Sequence, residues 1–288
     1  MTTASELAVR IDCQGDAMIG VVHCPPAPRR RGVVVVVGGP QYRVGSHRQF
    51  LLLARALAAD GYAVLRFDCR GMGDSCGAPR DFETIEPDMR AAIDTLCARV
   101  PQVQEVGLWG LCDAASAIMM YAPRDARVTG LAVLNPWVRS EAGLARSYLR
   151  NYYLRRFLDR VFWRRVFAGE VAIGTALSSF FDVLQRGFGG RGDKPASAPD
   201  ACADAIPFPQ RMLDGLRAFR GRVLLVLSGD DLTAGEFKAL VRSARPWRRI
   251  LRAGRVTRHD LVQANHTFAR RDWRDQVARW TAVWLASW

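Results

Sequence analysis

The stretch VGLWGLCDAASAIMM, residues 106–120, decides how the rest of the chain is organised. It reads as a short buried strand over 106–109, a tight turn, and a helix that begins at once. Cys112 sits at the apex, with Gly110 two residues before it and Ala114 two residues after. A side chain pushed out on so sharp a strand-to-helix turn leaves no space for bulk two positions away, so small residues are needed there. That is the geometry of a nucleophile elbow, usually G-x-S-x-G, with Cys in place of Ser and Ala in place of the second Gly. The helix start adds unpaired backbone N–H groups and a positive dipole end, both of which favour a thiolate. Taken alone, a Gly–Leu–Cys turn in an apolar segment also reads as simple packing.

Working outward from the elbow, strand and helix patterns alternate. Residues 7–11 and 17–23 alternate around Gln14-Gly15-Asp16, a hairpin signal at a sheet edge. Residues 32–37 hold five consecutive valines and run into Gly38-Gly39-Pro40; so many β-branched residues suit a central strand buried on both faces. Ser46 is expected to cap a helix through Ala59, ended by Gly61. A strand over 62–67 leads into Asp68-Cys69-Arg70-Gly71-Met72-Gly73-Asp74-Ser75, and a helix is expected over 82–100. After the elbow helix comes a short strand at 131–134, ending at Asn135-Pro136-Trp137. The alternation resumes with a strand at 223–227, a helix over 235–243, a weaker strand near 256–262 and a terminal helix to Trp288. This order argues a mostly parallel, doubly wound sheet. Between the two runs, residues 138–207 break the pattern with an Arg- and aromatic-rich helical stretch and a Gly/Pro/Ala-rich loop. The expected organisation is a core of 1–137 and 208–288, with 138–207 inserted as a helical cap.

Composition sets the bounds. With 288 residues, 49% apolar and 24% charged, the chain is ordinary for a globular protein with a sizeable core. Its opening residues show no secretory pattern, and no apolar run reaches the ~18 residues of a spanning helix. Seven cysteines, without metal-ligand spacing, read as reduced thiols in a cytoplasm and argue against zinc. The net charge of +13 comes mostly from arginine and is compatible with anionic partners. No nucleic-acid-binding signature accompanies it, so nucleic acid is not the expected partner.

Three features then coincide. The valine strand ends in a glycine turn whose backbone N–H groups can face an oxyanion. The elbow follows one strand-helix unit later. Beyond the insertion, one strand ends in Ser228-Gly229-Asp230-Asp231-Leu232-Thr233, and a later loop carries Asn265-His266-Thr267-Phe268. Nucleophile, acid and histidine in that order match the α/β-hydrolase order. Histidine is needed to take and return the proton, and a carboxylate to fix its tautomer and orientation. The chain therefore resembles the α/β-hydrolase superfamily across its core. More narrowly, VGGPQYRVGSHRQF (37–50), FDCRGMGDS (67–75), GLCDAAS (110–116), SGDDLTAGEF (228–237) and ANHTF (264–268) resemble the exosortase A system-associated hydrolases, type 1. That resemblance implies a bacterial accessory hydrolase of exopolysaccharide and protein-sorting gene clusters. Two departures from the superfamily stand out: Cys replaces Ser, and the histidine usual at the glycine turn is absent.

Each site residue has competitors. Of the four histidines, His23 and His47 read as structural, His47 near a pocket mouth, and His259 lies in or beside the last strand. His266 lies where the family's base belongs. Asp230 and Asp231 compete as the acid, and the family's G-x-D-L-T-A pattern favours Asp231. Asp68 and Asp74 read as braces of their loop. One oxyanion donor should be the N–H of Asp113; Pro40 has no N–H to give, so the other is Gly39 or Gln41. The remaining cysteines read as small hydrophobes. The expected chemistry is cleavage of an ester or thioester through Cys112, with Asp231 and His266 and no metal or organic cofactor. Acyl transfer to a saccharide hydroxyl and a catalytically silent binding protein remain open. The expected partner is a small acyl substrate. The eight arginines of 139–165 would bias it toward an anionic one, or dock a protein.

Overall fold

The valine run at 33–37 is buried throughout, and its side chains alternate between two layers. Val34 and Val36 join a core with Met89, Ile93 and Leu96, whereas Val33, Val35 and Val37 join one with Phe50, Leu53 and Leu57. A strand with no solvent face must lie inside a sheet covered on both sides. The computed structural model describes residues 4–39, 41–138 and 206–288.

Eight strands form one sheet among the described residues: β1 (Ser5–Cys13), β2 (Asp16–Cys24), β3 (Arg31–Val36), β4 (Val64–Phe67), β5 (Glu105–Leu111), β6 (Val128–Leu134), β7 (Arg222–Asp230) and β8 (Val256–Asn265). Their spatial order is β1-β2-β4-β3-β5-β6-β7-β8. The hairpin β1–β2 and the β2–β4 pair are antiparallel, and every pair from β4 to β8 is parallel. The hairpin turns on Gln14 and Gly15, both at positive φ (51° and 90°), so the turn's twist matches that of its strands.

Helices α1 (Gln49–Ala59) and α7 (Arg271–Leu285) cover one face, through Phe50, Leu53, Leu57, Val277, Trp284 and Leu285. The other face is covered by α2 (Glu86–Arg99), α3 (Asp113–Tyr121), α4 (Phe208–Ala218), α5 (Leu232–Ser243) and α6 (Arg245–Leu251). The sheet order and these two layers give the doubly wound α/β-hydrolase architecture expected from the alternation.

Three local expectations are corrected. Ser46 does not cap α1: a 3₁₀ turn, Ser46–Arg48, precedes the helix, with His47 and Arg48 at positive φ and no side-chain cap. Helix α2 starts at Glu86 rather than 82, with Pro87 in its first turn, where a missing N–H costs nothing. The strand expected to be weak, β8, runs ten residues and pairs along β7. It is the sheet's edge, so its outer positions are polar and its apolar pattern is faint. The expected cap at 138–207 lies outside the described residues except at its two ends. No helix among the described residues is long and apolar enough to cross a membrane.

Candidate active site

Strand order reverses between β3 and β5: the chain leaves β3 toward β4 on one side, and returns through β5 on the other. A crevice opens outside the C-terminal ends of strands at such a switch point. The Gly38-Gly39 turn follows β3, and Cys112 follows β5, so the topology alone brings the two together.

Cys112 lies between β5 and α3 with φ 64° and ψ −124°, a conformation that few L-residues adopt. It is held from both sides. Its N–H donates to the Leu134 carbonyl at 2.9 Å, and its carbonyl accepts from the Trp137 N–H at 3.1 Å. The small flanking residues have a measurable reason. A β-carbon on Gly110 would lie 2.8 Å from the backbone carbonyl of Ala114, where nothing can yield. Ala114 itself is fully buried.

His266 follows β8, and Asp231 follows β7. The Asp231 carboxylate accepts from His266 Nδ1 at 3.0 Å. It also caps α5, accepting from the Thr233 and Ala234 N–H groups at 3.2 and 3.0 Å. Burial disfavours the Asp231 charge, but the hydrogen bond and charge of His266, with those two N–H groups, hold its carboxyl below the usual range. The hydrogen bond to Asp231, and then that to Cys112, push His266 up to about 10 against the cost of burial. Nδ1 faces Asp231, so Nε2 is the nitrogen left for the sulfur. Asp230 is exposed, and among the described residues it is its backbone that is paired, opposite Asn265 in the β7–β8 ladder. The β7–β8 register shifts here, from Ser228 opposite Leu261 to Asp230 opposite Asn265, so the extra residues of the bulge lie on β8, opposite Gly229. A β-carbon at 229 would lie 1.9 Å from the Val262 carbonyl, so this close approach needs glycine. Residue 231, not 230, meets the histidine.

Asn135, unnoticed in the sequence beyond marking a strand end, ties these loops together. It is fully buried at φ 42°. Its amide nitrogen donates to Ser228 Oγ and to the His266 carbonyl, and its amide oxygen accepts from the Ser228 N–H at 2.9 Å. One side chain thus holds the strand that leads to Asp231 and the backbone of His266. A buried Asn just past a parallel strand was the available signal, hidden because Asn-Pro also reads as a plain turn.

The glycine turn is equally braced. The Gly39 N–H donates to Asp113 Oδ2 at 2.7 Å, and the Gln41 N–H returns to the Gly39 carbonyl at 2.8 Å. Past the turn, the Arg43 N–H and guanidinium both bond Asp68, and Arg43 also meets Asp74 at 2.8 Å. Tyr42 donates its hydroxyl to Asp74 at 3.0 Å. Asp68 and Asp74 therefore anchor the chain that leaves the glycine turn, in keeping with a bracing role. Burial raises the Asp113 carboxyl above its ordinary range, although the N–H groups of Gly39, Ala114 and Asp113 itself favour its charge.

The other histidines are occupied elsewhere. His23 is buried and accepts from Arg66 at 2.9 Å; burial lowers it to about 4. His259 stacks flat on Trp280 with ring centroids 4.3 Å apart. His47 is exposed. Among the described thiols, Cys13 is pushed up to about 11 and Cys69 higher still, in both cases chiefly by burial. Cys202 lies outside the described residues.

A mostly parallel sheet, an elbow after β5, an acid after β7 and a histidine after β8 define an α/β hydrolase. The chain belongs to the hydrolase family described as serine aminopeptidase, S33, which residues 28–178 match. No curated protein matches the sequence. Among solved structures, the chain is similar to the esterase Pf2001 of Pyrococcus furiosus, with 13% identity and a TM-score of 0.65, covering 99% of this chain and 93% of that one. It is similar to Est1E of Butyrivibrio proteoclasticus in complex with ferulic acid: 15% identity, TM-score 0.60, 97% of this chain and 100% of that one. It also resembles XC6422 of Xanthomonas campestris, titled an α/β serine hydrolase without lid, at 16% identity and TM-score 0.56, covering 99% and 97%. The family description and the last title name a serine; this chain carries Cys112 at the elbow.

Proposed function

We propose that this hydrolase cleaves an ester or thioester through an acyl-cysteine, with Cys112 as nucleophile, His266 as proton carrier and Asp231 as the carboxylate that orients it. The observation that carries the reading is the 3.0 Å hydrogen bond between Asp231 and His266, an imidazole whose electrostatics are coupled to Cys112 on a strained elbow. The thiolate attacks the acyl carbon, an S–C bond forms, and the carbonyl oxygen becomes an oxyanion facing the N–H groups of Asp113 and Gly39. Gln41 is the weaker choice for the second donor, because its N–H is bonded to the backbone of the turn itself, whereas the partner of the Gly39 N–H is a side chain, Asp113, that can rotate away. The intermediate collapses and the leaving alkoxide or thiolate takes the proton from His266 Nε2. Acylation turns the sulfur into a neutral thioester, which removes the Cys112 contribution that raises His266. The imidazolium then becomes a stronger acid, gives its proton to the leaving group, and as neutral imidazole can take a proton from water for hydrolysis.

Alkoxides and thiolates leave with less help than amines, which favours esters and thioesters over amides. The esterases among the structural neighbours support the same class. The motif resemblance associates the chain with exopolysaccharide and exosortase gene clusters, and unpaired thiols such as Cys13 and Cys69 suit a reducing cytoplasm. The proposal includes a small acyl substrate, with an anionic one preferred. The arginines of 139–165 that motivate this preference, or alternatively a protein partner, lie outside the described residues.

Intact mass after incubation with a panel of acyl esters and acyl thioesters is the test. One acyl group should appear on Cys112 and be absent from Cys112→Ala, and limited iodoacetamide should label Cys112 before the other thiols. Turnover without an adduct at Cys112, or first labelling at the exposed Cys76, would refute the assignment. The acylation rate, read as kcat/KM, should fall as pH rises through about 10, where the imidazolium is lost. A profile flat to pH 11 would separate His266 from proton delivery.

A further inference from the structure

Asp113 offers the elbow more than its backbone. Its carboxylate lies across the glycine turn, with Oδ2 accepting from the Gly39 N–H at 2.7 Å and Oδ1 from the Ala114 N–H at 2.9 Å. The first of these N–H groups is the one that the proposed reaction needs for its oxyanion. The turn is shaped around this carboxylate: a β-carbon on Gly38 would stand 2.0 Å from Asp113 Oδ1 and 2.7 Å from the Ala114 nitrogen. Gly39 takes φ 56°, a conformation that glycine adopts at little cost. A full negative charge on a backbone donor at the elbow is what the transition state would also present there.

We propose that Asp113 is the resident anion of the oxyanion turn, and that an acyl substrate gains the Gly39 donor only by displacing this carboxylate. The inference rests on the acyl-cysteine reading given above. The displacement needs no backbone rearrangement, because rotation of the Asp113 side chain alone frees the Gly39 N–H while leaving the Asp113 N–H in place. Asp113 thus holds the turn closed to bulk anions and sets the threshold that a substrate must overcome.

Two measurements test this, one of them independent of turnover. Glycine labelled with ¹³C at its carbonyl and ¹⁵N at its amide marks glycines that follow glycine, here Gly39 and Gly190. In the wild-type protein, one of the two resonances should lie far downfield, and it should move upfield in Asp113→Ala. Adding sodium formate should return it downfield in the variant and leave the wild type unmoved. With a neutral ester, kcat/KM should rise about tenfold in Asp113→Ala, the scale of one charge-assisted hydrogen bond. Asp113→Asn, which keeps an acceptor without the charge, should rise several-fold. If Asp113→Ala does not fold, Asp113→Asn carries the test, with a smaller upfield shift and the same direction of rate. Unchanged or lowered kcat/KM in Asp113→Ala with recovery in Asp113→Asn makes the carboxylate a brace and overturns the proposal. So does a Gly39 resonance that formate leaves unmoved in the variant. If no variant turns over any ester, the acyl-cysteine reading fails, and the resonance still decides whether the carboxylate fills the turn.

Discussion

Asp231→Asn should lower kcat/KM by about three to four orders of magnitude, while Asp230→Asn changes it little. The asymmetry follows from the end of β7, where Asp230 is exposed and Asp231 meets His266 Nδ1 at 3.0 Å. The fold should survive the substitution, because Asn caps a helix about as well as Asp. With its amide oxygen in place of Oδ1 it keeps the Thr233 N–H, and its NH₂ replaces Oδ2, the oxygen that now accepts from both Ala234 and His266 Nδ1. That choice turns the amide NH₂ toward His266 and makes Nδ1 an acceptor. The proton then sits on Nε2, which can no longer accept one from Cys112. Thermal melts and kcat/KM for both variants settle the matter; equal losses, or the larger loss at Asp230, would mean that the acid is misassigned. The alkaline limb provides a further check. With the carboxylate gone, the largest cause that raises His266 is removed, so any residual activity should decline at a lower pH than in the wild type.

Asn135→Ala should destabilise the protein by on the order of 3 kcal/mol and cost roughly a hundredfold in kcat. Truncation orphans the buried Ser228 N–H, which now donates to the Asn135 side chain, together with the Ser228 hydroxyl and the His266 carbonyl. It also puts alanine at φ 42°, which asparagine tolerates better. Asn135→Gly separates the two causes, because glycine adopts that φ freely but restores no hydrogen bond. Urea melts of both variants should show most of the loss persisting in Asn135→Gly. A glycine variant as stable as the wild type would assign the whole effect to the backbone. The kinetic loss should exceed what the lower folded fraction explains, since the side chain holds His266 by its carbonyl.

The sheet, the elbow and the order of the site residues were legible because each leaves a local mark. Five valines can only be an interior strand, Gly110 and Ala114 flank the single position that needs space, and an acid and a histidine follow the last two strands. What stayed hidden depends on contacts between distant segments. Ser46 looks like the cap of α1 in sequence, but the preceding loop is set by Arg43 on Asp68, 25 residues away. Asn135 reads as a turn residue until Ser228 and His266 are brought against it. The Asp113 carboxylate gave no sign of its partner, since Gly39 lies 74 residues before it. The faint pattern of β8 reflects its edge position, where only one side of the backbone ladder is paired.

The backbone at Cys112, with φ 64° and ψ −124°, bears on how this position drifts over generations. A non-glycine residue there carries a penalty of about 1–3 kcal/mol. Glycine would relieve it, so mutations that merely improve stability would drive the position toward glycine. A lineage that needed only the fold would have an easy downhill substitution at this codon. The chain instead carries a thiol where the backbone makes a side chain a burden, which is what the proposed acyl-cysteine role requires of this position.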